Sequence, residues 1–167
     1  QRPYLMNRVM TFMNPAENSL TTGYQIQQSL IAIGSGGFMG RGFGQSAQKF
    51  NYLPEAQGDS VFAVFSEEFG FIGSVFMVLL FVGFAMRGFS IAADASTLFG
   101  SLAATGLTLL ISLSAFLNIG AMLAILPLTG LPLPFVSHGG TALLFALASA
   151  GIILNVAAHR KGKTASK

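Results

Sequence analysis

The sequence predicts an all-α integral membrane protein: three transmembrane helices, a large extracytoplasmic loop with interfacial helices, and a re-entrant Pro/Gly segment. Three observations carry that prediction. Only 9% of the 167 residues are charged and 52% are hydrophobic, against about 25% charged residues in soluble domains. Three runs are apolar enough to cross a hydrocarbon core, which takes roughly 20 residues. They are 69–86, with a start as early as Val61, then Leu98 to Leu126, and 141–158. Between the second and third lies "PLTGLPLPFVSHGG", where Pro127, Pro132, Pro134, Gly139 and Gly140 forbid a regular helix. Backbone groups freed there are tolerated at membrane depth only inside protein or beside a watery cavity.

Composition excludes other classes. The absence of cysteine removes disulfides and thiolate metal sites, and His138 and His159 alone do not make a structural zinc site. A net charge of +3 is no sign of nucleic acid, because four of the nine basic residues crowd into the last eight positions, as expected beside a membrane. The chain opens at Gln1 without a signal sequence, so it reads as one piece of a longer protein.

The outer region, 1–60, opens with a turn at Asn14, Pro15 and Asn18. "TTGYQIQQSLIAIG" then places Ile26, Leu30 and Ile33 at helical spacing, opposite Gln25, Gln28 and Ser29. That pattern predicts an amphipathic helix resting at the membrane interface. In "GSGGFMGRGFGQSAQK", Gly42, Gly44 and Ala47 satisfy a G-x-G-x-x-A pattern. No strand precedes it and no acid follows in a βαβ unit, so it is no dinucleotide site. It reads either as a flexible surface loop or as backbone that approaches a ligand closely, with Arg41 and Lys49 supplying positive charge.

Four of the six acids follow in "YLPEAQGDSVFAVFSEEFGFIG". A helix from Pro54 sets Glu55 and Asp59 on one face, with Glu67 near the same azimuth two turns on. Acids leading into a span are functional candidates by default. Asp59 also suits a helix cap, and an ion pair with Arg41 or with a residue in the rest of the protein suits Glu67 and Glu68.

Among the spanning runs, 98–126 exceeds one crossing and is expected to tilt or to bend at Asn118 to Gly120. Arg87 follows the first run and Arg160, Lys161 and Lys163 follow the third. The positive-inside rule puts those ends and the link 87–97 in the cytoplasm. Residues 1–60 and the segment 127–140 then share the outer face, where both can contribute to one site. The expected domains are an outer loop 1–60, membrane helices over 61–158 and a cytoplasmic tail 159–167.

"GYQIQQSLIAIGSGGFMGRGFGQSAQKFNYLPEAQGDSVFAVFSEEFGFIG" together with "NIGAMLAILPLTGLPLPFVSHGG" resembles the second half of SEDS (shape, elongation, division and sporulation) proteins, over about Pro3 to Asn155. "QKFNYLPE" and "GFGQSAQK" resemble the division-type, FtsW-like branch more than the elongation-type, RodA-like branch. The resemblance implies a ten-helix fold in the bacterial inner membrane with cytoplasmic termini. This chain would supply the outer loop after helix seven and helices eight to ten.

The implied activity is peptidoglycan glycosyl transfer. Lipid II is polymerised into glycan strands, undecaprenyl pyrophosphate is released, and a class B penicillin-binding protein and other division proteins are partners. Such a reaction needs a base for the attacking hydroxyl and positive charge for the leaving pyrophosphate. By its place in P-E-x-x-x-D, Asp59 takes the role of the family's essential aspartate, as base or as the acid that orients the acceptor. Glu55, one turn earlier, makes it a better base by like-charge repulsion. Arg41 and Lys49 are candidates for the pyrophosphate, with room for a divalent cation (Mg or Mn). Ser137 and His138 are expected to face the cavity from the folded-back segment. His138 stands where the family generally has tyrosine, and Ser60 where phenylalanine usually follows the aspartate. A lipid II transporter and a non-catalytic division scaffold are the rival readings. A transporter needs polar residues through the membrane's depth, whereas a polymerase needs them gathered at the outer face. Half a ten-helix fold is expected to be inactive alone.

Overall fold

Three helices apolar enough to span a bilayer dominate the computed structural model, which describes residues 22–46 and 58–159. The elements are α1 (Thr22–Ser35), α2 (Val61–Ala93), α3 (Leu98–Met122) and α4 (Gly140–Ala158), with no β-strand among the described residues. The central helix is α3. It packs on α2 through small residues, with Ala104 and Thr108 fully buried and Thr108 lying where a Cβ on Gly88 would stand. Small residues at such a crossing let two membrane helices approach closely, which is where their attraction comes from. Towards one end, Ile26 of α1, Phe62, Met77 and Phe81 of α2, and Ile119 and Met122 of α3 close a core with Leu128 and Leu133. Outward faces are apolar, as Phe76, Leu80, Leu110 and Phe145 illustrate.

Several boundaries differ from the sequence reading. Arg87 ends the apolar run but not the helix, because α2 continues to Ala93 and leaves only a short link, capped where the Thr97 hydroxyl accepts from the Gly100 amide at 3.1 Å. Charge stops an apolar run, whereas a helix persists in water wherever its residues favour it. No bend occurs at Asn118 to Gly120. Instead α3 ends at Met122, and the Gly120 carbonyl accepts from the amides of Ile125 and Leu126 as Ala124 turns the chain at φ 55°. On α1 the inner face is Ile26, Ser29 and Ala32, and Leu30 points outward. Ser29 is buried because its hydroxyl donates to the Gln25 carbonyl at 2.8 Å and lies 3.4 Å from Met122 Sδ. A small, internally satisfied side chain lets α1 lie close to α3, and apolar Leu30 suffers nothing by facing outward in a membrane protein.

The long helix α2 is broken at Gly70, with φ 67° and ψ −163°, a conformation essentially confined to glycine. The glycine-rich loop after α1 fills that break. Arg41 and Gly42 amides donate to the carbonyls of Glu67 and Glu68 at 3.0 and 3.1 Å, and the amides of Phe71 and Ile72 donate to Gly37 and Phe38 carbonyls at 2.9 and 3.3 Å. The groups that a break would orphan are thus paired on both sides. Ser74 Oγ lies 2.8 Å from both the Gly70 carbonyl and Ser66 Oγ, stitching the two halves together. The loop and the break pass so closely that a Cβ on Gly40 or Gly70 would enter the other's backbone. Gly36, Gly40 and Gly70 therefore serve close approach of backbone to backbone, and the loop is no loose surface connector. Beyond the break, residues 71–93 rise about 34 Å, enough to cross a core of roughly 30 Å.

Gly70→Ala is expected to destabilise the protein by at least about 1–3 kcal/mol from backbone strain alone, seen as a lowered unfolding midpoint in detergent. Gly83→Ala, whose Cβ would meet nothing within 4 Å, is the control and leaves the midpoint unchanged or raised.

Candidate active site

Residues 58–60 form a turn ahead of α2, so Asp59 lies before that helix, while Pro54 and Glu55 lie outside the described residues. The N-cap position belongs to Ser60, whose carbonyl accepts from the amides of Ala63 and Val64 at 3.0 and 3.3 Å. Ser60 is fully buried, and its hydroxyl accepts from Gln25 Nε2 at 3.0 Å, tying the turn to α1.

Two further side chains reach this turn. Asn118, near the end of α3 and 1% exposed, donates from Nδ2 to the Asp59 carbonyl at 2.8 Å and to the Leu131 carbonyl at 2.6 Å. Both neighbours are carbonyls, which only the NH₂ side of the amide can satisfy. Ser137, 6% exposed, donates from Oγ to the Gly58 carbonyl at 2.7 Å and accepts from the Leu133 amide at 2.7 Å. The proline-rich segment thus lies against the turn that carries Asp59. It does so in a strained form, with Phe135 at φ 67°. A bulky residue in the left-handed region costs about 1–3 kcal/mol and persists only where its surroundings impose it. The amides of Val136 and Ser137 both turn back onto the Leu133 carbonyl, at 3.3 and 3.0 Å.

The expected site residues separate into groups. Asp59 is half-buried in the turn, and His138, next in sequence to Ser137, is exposed. Ser137 was expected to face the cavity, but its hydroxyl is committed to backbone on both its donor and its acceptor side. Arg41 pairs with Glu67, Nη1 to Oε1 at 3.3 Å, and Ser46 Oγ donates to the other carboxylate oxygen at 2.5 Å. That pair is the bland alternative which the sequence allowed for Glu67. Glu67 is wholly buried while the Arg41 side chain stays 47% exposed, so the arginine keeps a solvent-facing side. Glu68 is buried too, and its Oε1 has no hydrogen-bond partner among the described residues. Glu55 and Lys49 lie outside the described residues. Among the described residues no three acids or histidines gather to hold a metal ion.

Sequence reasoning missed Asn118, Gln25 and Ser46. One asparagine in an otherwise apolar run is a signal, since a buried amide must find partners, but nothing in the sequence says which partners.

The family of cell cycle proteins comprising FtsW, RodA and SpoVE matches residues 1–162. The chain belongs to this family. It is 45% identical to stage V sporulation protein E of Bacillus subtilis over 95% of the chain and 43% of that protein. It is 44% identical to the peptidoglycan glycosyltransferase MrdB of Escherichia coli K12 over 95% of the chain and 43% of that protein. To a probable peptidoglycan glycosyltransferase FtsW of Geobacter sp. strain M18 it is 40% identical, over 96% of the chain and 44% of that protein. A structure titled for polymerisation and crosslinking by a peptidoglycan synthase complex superposes with a TM-score of 0.72 and 28% identity, over 95% of this chain and 43% of that one. A Thermus thermophilus rod shape determining protein RodA mutant superposes at 0.60 and 31% identity, over 80% of this chain and 40% of that one. The chain thus spans less than half the length of these relatives. Their identities are too alike to separate the branches of the FtsW/RodA/SpoVE family. The match establishes a multi-pass membrane protein and agrees with the SEDS resemblance.

In this family member Arg41→Ala leaves a fully buried carboxylate without its ion pair and is expected to cost about 1–3 kcal/mol, screening by solvent at Arg41 holding the figure down. Arg41→Ala combined with Glu67→Gln should recover most of the lost midpoint, because the remaining neutral amide needs no counter-charge. Equal instability of the single and double variants would show that Arg41 is not there for Glu67.

Proposed function

We propose that a full-length protein carrying this chain polymerises lipid II into glycan strands at the outer face of the bacterial inner membrane during cell division. The observation that carries the reading is the junction of the Asp59 turn with the folded-back segment 131–137 in a member of the FtsW/RodA/SpoVE family. An acid in a turn at the end of a span, beside irregular backbone, suits a cavity open to a lipid-linked sugar. In the proposed step Asp59 takes the proton of the acceptor hydroxyl as its oxygen bonds to the anomeric carbon of the donor. The bond from that carbon to the pyrophosphate breaks, and undecaprenyl pyrophosphate leaves with both electrons. Arg41, Lys49 and the exposed His138 are the chain's candidates for contacts to the pyrophosphate and sugars, with Glu55 tuning the base.

Polymerisation is favoured over transport by where the charges lie. Residues 69–86, Leu98–Met122 and Gly140–Ala158 contain none, and Arg41, Asp59, Glu67 and Glu68 all precede the first of these runs. Thr108, Ser112 and Ser149 are buried and polar within the spans but neutral, so it is the gathering of charge ahead of the first span that favours the polymerase reading. The division role rests on the FtsW-like motifs "QKFNYLPE" and "GFGQSAQK". A class B penicillin-binding protein is the proposed partner, in keeping with a structural neighbour titled as a complex that polymerises and crosslinks.

Asp59→Ala and Asp59→Asn, in a full-length family protein carrying these residues, are each expected to lower lipid II polymerisation by at least about 100-fold, the lower end for loss of a general base. Expression and partner binding should be retained. Full activity in the Asn variant would assign Asp59 a hydrogen-bonding role rather than proton transfer.

Orientation is tested separately. Cysteines replacing the exposed Gln45 and His138 should react with an impermeant thiol reagent added outside cells, and one replacing the exposed Ser96 should not. The reverse pattern would invert the topology.

A further inference from the structure

Two peptide planes flank the Cα of Asp59. The Gly58 carbonyl belongs to the plane before it and Asp59's own carbonyl to the plane after it. Peptide planarity leaves φ and ψ as the only soft variables between them, so holding both planes sets the direction of the Asp59 Cα–Cβ bond. Each plane is held by one side chain: Ser137 Oγ donates to the Gly58 carbonyl at 2.7 Å, and Asn118 Nδ2 to the Asp59 carbonyl at 2.8 Å. Both donors are buried and come from outside the turn. Both are also tied to the segment 131–137, Asn118 through the Leu131 carbonyl and Ser137 through the Leu133 amide.

We infer that Asn118 and Ser137 are positioning residues, a two-point clamp that sets the angle at which the Asp59 carboxylate meets the acceptor hydroxyl; this rests on Asp59 acting as proposed above. The Ser60 carbonyl is taken by the amides of Ala63 and Val64, and the two side-chain donors supply the remaining carbonyls of the turn. Those two carbonyls are consecutive and bracket one residue. Both donors are neutral, so they orient the acid without adding charge beside it. Asn118 commits its NH₂ to carbonyls while its Oδ1 has no partner among the described residues, so the amide is used for its donors. The clamp also joins the Asp59 turn, the end of α3 and the re-entrant segment, so a shift of that segment reaches the acid directly.

The test is steady-state polymerisation of purified lipid II by a full-length family protein carrying these residues. Ser137→Ala and Asn118→Ala should each lower kcat by about 10- to 100-fold, the scale of a small misplacement of a catalytic group, with KM for lipid II within about twofold. Ser137→Thr, which keeps the hydroxyl, should retain most of kcat. Unchanged kcat in a folded Ser137→Ala protein would overturn the clamp. So would a loss that merely follows the fraction of folded protein and is no smaller in Ser137→Thr. If Asn118→Ala does not fold, Ser137→Ala decides alone, since it deletes one oxygen. The two readings fail differently. An active Asp59→Asn variant removes the base assignment, whereas an inactive Asp59→Asn beside a fully active Ser137→Ala removes only the clamp.

Discussion

A backbone amide or carbonyl inside a bilayer has no water to bond, so every interruption of a helix there must be completed by another part of the protein. The fold is organised around two such interruptions. At Gly70 the long helix breaks, and the loop after α1 supplies two carbonyls to one side and two amides to the other. Between α3 and α4 the proline-rich segment leaves helical geometry, and Asn118 and Ser137 bond its backbone while reaching the turn at 58–59. The first repair comes from a loop distant in sequence and the second ties the segment to a turn distant in sequence, and together they fasten neighbouring ends of the helices to one another.

The same constraint explains the polar groups that an apolar chain retains. Burying a carboxylate is costly unless it is paired and hydrogen-bonded, and Glu67 receives both an arginine and a hydroxyl. Because Arg41 sits in the loop that completes the helix break, the ion pair and the backbone pairing reinforce each other: the Arg41 amide bonds the Glu67 carbonyl while its guanidinium meets the Glu67 carboxylate. The glycine loop is thereby held by backbone and side chain at once, which accounts for order in a stretch whose composition suggests none.

For function, the consequence is an acid whose surroundings are built from three separate stretches of chain. Gln25 of α1 bonds Ser60, Asn118 of α3 bonds Asp59, and Ser137 of the re-entrant segment bonds Gly58. Three consecutive residues are thus each held by a different element. A site used for chemistry benefits from such support, since positional error in a catalytic group is expensive in rate. The left-handed Phe135, two residues before Ser137, is a strain that this packing maintains.

Much of this was legible in the residues alone. Apolar runs determine three spans because hydrocarbon thickness demands a minimum length, prolines determine that 127–140 is not a helix, and the motif order determines the family. Asp59 stands out because an acid entering a span is costly. What only tertiary structure decided is which distant groups meet. The role of the glycine loop depended on a break in a helix thirty residues later, and the inward face of α1 depended on Met122 lying against Ser29. Asn118 read as a bend because periodicity sees only neighbours along the chain, whereas its amide is used across 59 residues of sequence to hold the Asp59 carbonyl. Hydrophobic pattern reports how much of a segment avoids water; hydrogen bonds between segments are set by three-dimensional distance, which no local pattern records.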